Sequence, residues 1–255
     1  MRRESEPLQV ARHLRATGIM DDVLADDDRV ATESVGFLLR NGDKRGEDLM
    51  PLTDQERTDL EALASGQLSD AMETLNLRRS IVTGFMVLAA PGAKIVGTAV
   101  TVRQVPKNAN EDREARLTRH QEVTRKIAGK GDVVIVDNGG RLDVATWGEF
   151  HCYACKQNGV AGAIVDGATR DGPEIRTSGF PTFVRGLSPV KSQWDLKTAS
   201  INEPVMLGCV QVNPGDIIFA DETAVVVIPA AKKDLVLRKA NEIRAAEDSQ
   251  RARLV

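Results

Sequence analysis

Aromatic residues are scarce in this chain: six Phe, two Trp and one Tyr amount to 4% of 255 residues. Proteins that bind single-stranded nucleic acid stack bases on aromatic side chains inside a basic groove. With so few rings and a formal net charge of -3, neither nucleic acid nor an anionic membrane is an expected partner. No apolar run approaches the roughly 18 residues of a membrane span. The Arg-rich start, Met1 to Arg15, lacks the continuous apolar stretch of a secretory signal. Only three cysteines are present, too few for a disulfide framework, which points to the cytoplasm. The glycines form neither a phosphate-binding loop nor a dinucleotide fingerprint.

What is present is ordinary globular composition, 42% apolar and 28% charged, in a chain long enough to bury a sizeable core. Residues 1–52 read as an N-terminal extension or arm. Arg2, Arg3, Arg12 and Arg15 are followed there by the acidic block Asp21, Asp22, Asp26, Asp27 and Asp28, with no evident chemistry. Residues 53–255 read as one catalytic-sized domain. Thr53 and Glu56 fit a capping box, and Leu60, Leu63 and Leu68 supply a helical apolar stripe. Ser69-Asp70 predicts the opening of a further short helix that ends before Arg79.

Residues 92–105 alternate as a strand, and 110–129 predict a charged helix ending at Gly129. Two apolar runs, Val133–Val136 and Ala163–Val165, flank a helix that ends at Asn158-Gly159. This strand–helix–strand unit predicts a parallel pair. Thr182–Val184 is another strand. Val205–Val212, Ile217–Ala220 and Ala224–Ile228 are strands with short links, which favour antiparallel hairpins. A polar helix from Ala231 to about Arg251 closes the chain. The expected class is α/β: a mixed sheet or partly closed barrel, with an N-terminal extension and a C-terminal helix.

Ligands of α/β sheets bind at the carboxyl ends of strands, and two such ends are rich in useful groups. One runs from Asp137-Asn138-Gly139-Gly140-Arg141 into Thr146-Trp147-Gly148-Glu149-Phe150-His151. Gly148 sits in a helical pattern, where glycine costs about 1 kcal/mol relative to alanine. Either a helix begins there and its amides face an anion, or the glycine permits close helix–sheet packing. The other end is Asp166-Gly167-Ala168-Thr169-Arg170-Asp171-Gly172-Pro173-Glu174, with three carboxylates and one guanidinium in nine residues. Arginine can hold a carboxylate or enolate bidentately, and an adjacent aspartate can ligate a hard cation. The alternative for Arg170 and Asp171 is a solvated surface pair. Neither loop contains lysine, which argues against Schiff-base chemistry.

Val165-Asp166-Gly167-Ala168-Thr169-Arg170-Asp171, together with Gly179-Phe180-Pro181 and Arg185-Gly186-Leu187-Ser188-Pro189, resembles the RraA-like family. That family includes class II 4-hydroxy-4-methyl-2-oxoglutarate and 4-carboxy-4-hydroxy-2-oxoadipate aldolases, and also regulators of ribonuclease activity. The resemblance runs from about Leu52 to the C-terminus. Its most specific part is Gly148 placed 22 residues before Arg170, with Glu174 following.

The resemblance implies a swivelling β/β/α fold and a homo-oligomer, a trimer or a hexamer. It implies that Asp171 holds a divalent metal, Mg2+ or Mn2+, and that Arg170 contacts the pyruvoyl half of a 2-oxo acid substrate. Gly148, Glu149, Phe150 and His151 would line the pocket, the amides of the last two gripping a carboxylate. Glu149, Glu174 and Glu247 (the last from a neighbouring subunit) would act near the metal's water shell. The implied activity is retro-aldol cleavage of 4-hydroxy-2-oxo diacids to pyruvate, with oxaloacetate decarboxylation beside it. The alternatives are a dedicated oxaloacetate decarboxylase and a non-enzymatic ribonuclease-regulating protein. His151 departs from the aliphatic residue more usual there.

Two further motifs carry less. Cys152 and Cys155 beside His151 suggest zinc, but a structural site needs four ligands and no second Cys/His pair exists. They read as small core residues of a helix. Arg113, Arg116, Arg119, Lys126 and Lys130 read as the solvated face of a helix, or as a face turned to an anionic substrate or a neighbouring subunit.

Overall fold

A computed structural model of the chain describes residues 52–254; the expected arm lies outside them apart from Leu52. The first helix, α1 (Asp54–Glu61), carries the expected capping box: Glu56 N donates to Thr53 Oγ1 at 3.2 Å and Thr53 N to Glu56 Oε2 at 2.7 Å. Helix α2 (Ser65–Thr74) begins four residues before the predicted Ser69-Asp70. Asp221, distant in sequence, accepts the Ser65 amide at 2.9 Å and Gln67 accepts that of Ala64. Those acceptors satisfy the first turn's orphan donors.

The rest of the chain supplies β1 (Ile81–Val82), β2 (Met86–Leu88), β3 (Ile95–Pro106), α3 (His120–Glu122, continued as a π-turn over Val123–Ile127), β4 (Asp132–Trp147) and α4 (Glu149–Gln157). Then follow β5 (Gly162–Thr169), α5 (Gly172–Ser178), β6 (Thr182–Leu187), β7 (Leu196–Ile201), β8 (Val205–Leu207) and β9 (Val210–Val212). Strands β10 (Ile217–Ala220) and β11 (Val225–Ile228) lead to the closing helix α6 (Lys233–Arg251).

Two predicted elements are corrected. The helix expected over 110–129 is helical only from His120. Lys107 Nζ donates to the carbonyls of Asp112, Arg113 and Ala115, while Thr198 pairs with Leu117 O and Arg119 N. Backbone groups that a helix would use internally are therefore satisfied from outside it. The strand expected over 205–212 is instead a hairpin of β8 and β9, because Gly208 (φ 58°) turns the chain between Leu207 and Val210. Positive φ costs glycine nothing, and tight hairpins require it.

Among the described residues, nine strands form one mixed sheet in the order β1-β11-β10-β3-β4-β5-β6-β2, with β7 pairing the far end of β3. The predicted parallel pair is β4 with β5, and the predicted antiparallel hairpin is β10 with β11. Alternation decides which residues meet. Val133, Ile135, Ile164 and Phe183 join Val82, Val225 and Val227 and the β8–β9 hairpin in one cluster. That cluster draws on strands from β1 to β6, so the sheet curls around it. Val134, Val136 and Val165 point the other way and pack with Trp147, Cys152, Cys155 and Ile175, beneath α4 and α5. A third cluster lies under α1, α2 and α6. Such alternation follows from the two-residue period of a strand. No helix among the described residues is long and apolar enough to cross a membrane.

Candidate active site

Strands β4 and β5 run parallel and end in register, Trp147 opposite Thr169. Their exits therefore lie side by side, and a hydrogen bond from Arg170 N to Trp147 O (3.0 Å) ties them. After Trp147 the chain passes Gly148 and enters α4; after Thr169 it passes Arg170 and Asp171 and enters α5. Asp171 is left-handed (φ 56°, ψ 38°), one of three non-glycine residues with positive φ among the described residues. Aspartate tolerates this region better than most residues, at a cost of about 1 kcal/mol or more.

The backbone twist turns the Asp171 carboxylate toward Gly148. A Cβ built on Gly148 would stand 2.9 Å from Asp171 Oδ2. Gly148 itself is fully extended (φ -174°, ψ 176°), so its torsions would suit any residue. A side chain there would have to displace the approaching carboxylate. Of the two explanations available from spacing, close approach of an acid at a helix start is the one the geometry supports.

Arg170 Nη2 lies 3.5 Å from Asp171 Oδ2, and the two side chains are only 30% and 26% exposed. Both line a cleft of about 420 Å3, together with Gly148, Glu149, Phe150 and His151. The alternative of a pair in open water is thus not what the fold builds. The cleft brings together six of the eight residues singled out from sequence. Glu174 is exposed on α5, outside the lining. Glu247 on α6 accepts from Gln67 Nε2 at 2.7 Å, also away from the cleft of its own chain. The His151 amide donates to Gly148 O at 3.1 Å, so it is spent within the chain. Of the two amides expected to grip a carboxylate, Phe150's is the one without an acceptor among the described residues.

The sequence reading missed His120, Arg125 and Lys191 as cleft residues, while Thr146 and Trp147 of the first strand-end segment do line it. Arg116, one of the basic cluster, also lines it. His151 packs its ring 4.9 Å from Trp147 and 5.3 Å from His120, whose Nε2 is 2.9 Å from Thr146 Oγ1. Burial pushes His120 down to about 3, with His151 adding to the effect. Burial, then the Arg125 guanidinium, pushes His151 down to about 4. Both imidazoles are neutral at neutral pH. A histidine signal was visible only at His151; nothing in the sequence couples it to His120, 31 residues earlier.

Cys152 and Cys155 are fully buried, and burial raises both thiols, Cys155 to about 12. Cys152 Sγ lies 3.2 Å from Trp147 Nε1, which donates to it, and 3.7 Å from Gly148 O. It steadies the exit of β4, and neither thiol offers the thiolate that a metal or redox site uses. Lys191, from the segment before β7, does reach the cleft, but at its exposed mouth. A Schiff-base lysine is typically desolvated in an apolar pocket.

Among the described residues, no three or more His, Cys, Asp or Glu converge as a metal cage. Mg2+ does not need one: it is commonly held by one or two carboxylates, keeping water and substrate oxygens for the rest. Asp171, beside a glycine that leaves its carboxylate room, with Glu149 in the same cleft, is a donor set of that kind.

Comparison with known proteins agrees with this architecture. The chain is 30% identical over 186 residues to Protein DlpA of Legionella pneumophila, covering 72% of this chain but only 29% of that protein. It is 36% identical over 164 residues to a Halalkalibacterium halodurans protein named "Putative 4-hydroxy-4-methyl-2-oxoglutarate aldolase", covering 64% of this chain and 72% of the relative. The crystal structure of Streptomyces coelicolor RraAS2, described as an unusual member of the RNase ES inhibitor RraA protein family, superimposes with a TM-score of 0.70. That match is 28% identical and covers 79% of this chain and 98% of the other. The RraA-like family profile (Aldolase/RraA) matches residues 65–227, and the chain belongs to the RraA-like family.

Proposed function

We propose that the protein is a divalent-metal-dependent lyase that cleaves 4-hydroxy-2-oxo diacids to pyruvate, with oxaloacetate decarboxylation as a second activity. The observation that carries this reading is the Asp171 carboxylate seated against Gly148 with Arg170 beside it, in one cleft. Cleavage breaks the C3–C4 bond of the substrate. The proton leaves the 4-hydroxyl, the electron pair remains on the pyruvate fragment as an enolate, and protonation at C3 completes pyruvate. Asp171 would hold Mg2+ or Mn2+, and Glu149, Glu174 and the Glu247 of a neighbouring copy would face its water shell. When bound, the cation acts as a Lewis acid toward enolate charge.

The chain's own groups do the rest. Arg170 binds and orients the pyruvoyl carboxylate as a fixed donor, and losing such a donor typically costs about 3 kcal/mol of barrier. The Phe150 amide, at the start of α4, adds a donor and the positive end of the helix dipole. Glu149 is the group in the cleft suited to accept the 4-hydroxyl proton. His151, neutral and packed on Trp147, shapes the wall rather than carrying charge.

Assembly as a trimer or hexamer belongs to the same proposal. Phe150 is 74% exposed at the edge of the cleft, a large apolar surface for a second copy to cover. The test is pyruvate release from a 4-hydroxy-2-oxo diacid and from oxaloacetate, with Mg2+ and with EDTA. Release from oxaloacetate alone would mark a dedicated decarboxylase. Release from neither would favour the second reading, a ribonuclease-regulating protein, which the description of the Streptomyces structure suggests.

A further inference from the structure

Beneath the cleft the core is not wholly apolar. Gln104, near the end of β3, and Asn138, in β4, are 4% and 2% exposed. Gln104 Oε1, Asn138 Oδ1 and Asn138 Nδ2 are the three buried side-chain nitrogen or oxygen atoms without a hydrogen-bond partner among the described residues. A buried amide is strongly disfavoured unless something supplies its missing bonds. The two residues are also neighbours. Strands β3 and β4 pair in parallel, and their last register pair is Arg103 with Asp137, so Gln104 and Asn138 come next on adjacent strands. Each stands two positions after a valine of the cluster beneath α4 and α5, Val102 or Val136, and so faces the same way. Regular pairing stops at that level: β3 shifts register against β7 after Arg103, and β4 shifts against β5 after Asp137.

Each of the two side chains is anchored to a different wall of the cleft. Asn138 lies on Gly167, where a built Cβ would stand 2.9 Å from Asn138 Nδ2, on the strand that leads to Arg170. Gln104 Nε2 donates to Thr198 Oγ1 at 2.9 Å, and the same hydroxyl accepts the Arg119 amide at 2.8 Å, where α3 begins. The next residue is His120, which meets Thr146 Oγ1 and lines the cleft. Two carbonyl oxygens and one amide nitrogen call for a group that both donates and accepts. An anion would meet the oxygens, and a cation would meet the nitrogen. Water satisfies all three and is small enough for a core. We infer that Gln104 and Asn138 hold internal water below the floor of the cleft, bridging the β5 exit that carries Arg170 to the segment that opens α3. Asn138 Nδ2 donates to the water, which donates in turn to the carbonyl oxygens. Water binding there is independent of the lyase reading, since neither side chain lines the cleft.

A high-resolution crystal structure of the unmodified protein is expected to show ordered water within hydrogen-bonding distance of both side chains. Density in which the two amides bond directly to each other, with no water, overturns the site. Asn138→Leu gives a second measure whose sign differs between a wet site and a dry one. With water bound, leucine evicts it and leaves Gln104 Oε1 alone, so the variant should melt at least about 2 °C lower. Asn138→Leu/Gln104→Met removes both partners and should recover part of that loss. In a dry site leucine would only remove an orphaned amide, so a single variant that melts at or above the parent overturns the proposal. Bridging is read by hydrogen exchange. In Asn138→Leu the amides of His120 and Arg170 should exchange about tenfold faster relative to those of α6. A change no greater than that of α6 overturns the bridge. The crystallographic result needs no variant and stands even where leucine impairs folding.

Discussion

Asp171 Oδ2 occupies the space that a side chain on residue 148 would need: a Cβ there would come within 2.9 Å of it. Gly148→Ala must therefore move either the carboxylate or the start of α4. A displacement of about 1 Å in a positioned group can cost on the order of 100-fold in rate. Gly148→Ala is expected to lower kcat/KM at least tenfold while leaving the melting temperature nearly unchanged. A variant as active as the parent would show that the contact is incidental.

Asp171 carries two separable burdens, a left-handed backbone and a carboxylate. Asp171→Gly relieves the first and Asp171→Ala does not. The glycine variant should melt at or above the parent temperature and the alanine variant below it, the gap reflecting roughly 1 kcal/mol. Both should be inactive if the carboxylate holds the cation. Turnover in either would remove the metal assignment.

Arg170→Ala should abolish turnover with the fold retained, and Arg170→Lys should fail to restore more than a small fraction. A lysine provides a point charge where a planar fork is needed. Full activity in the lysine variant would argue that only charge matters at this position.

Lys191 should form no imine. Treatment with pyruvate and borohydride is expected to leave mass and activity unchanged. A mass gain located on Lys191 would replace the metal-dependent scheme with a covalent one.

One buried imidazole, His120, and one half-buried, His151, give stability a pH dependence of definite sign. His120 and His151 are held down to about 3 and about 4, against roughly 6.5 in an unfolded chain. Below that value the unfolded state binds protons that the folded state refuses, so stability falls as pH drops from about 6.5 toward 4. Urea melts at pH 7, 6, 5 and 4 should show this loss, and His120→Gln should flatten it. Identical midpoints throughout that range would contradict the lowered proton affinity of these rings.

Cys152→Ala with Cys155→Ala should leave activity and bound metal near normal, since both thiols are packing groups. Trp147 Nε1 loses its acceptor in the first change, and an unsatisfied buried donor costs about 1–3 kcal/mol. A lower melting temperature with normal turnover at 25 °C is the expected combination.

Much of this protein is local enough to be legible in one dimension. The Thr53–Glu56 box spans a single helical turn. The alternation of Val133–Val136 assigns each residue to a sheet face because strand side chains repeat every two positions. Arg170 and Asp171 stand out because a strand ends and a charged glycine-rich turn begins. The helix expected over 110–129 fails for the opposite reason. Its sequence permits a helix, but Lys107 and Thr198 take the backbone groups it would need, and only the folded chain delivers Thr198.

What the sequence by itself determined, then, is the mixed sheet, the two strand-end loops and the residue types that could do the chemistry. Tertiary structure decided the rest. It placed the Asp171 carboxylate on Gly148, 23 residues away in the chain, by pairing β4 and β5 in parallel register. It brought His120 onto His151, and set Lys191 in one cleft with Arg116 and Arg125. These relations depend on distances in space between segments far apart in the chain, and no local pattern of residues encodes them.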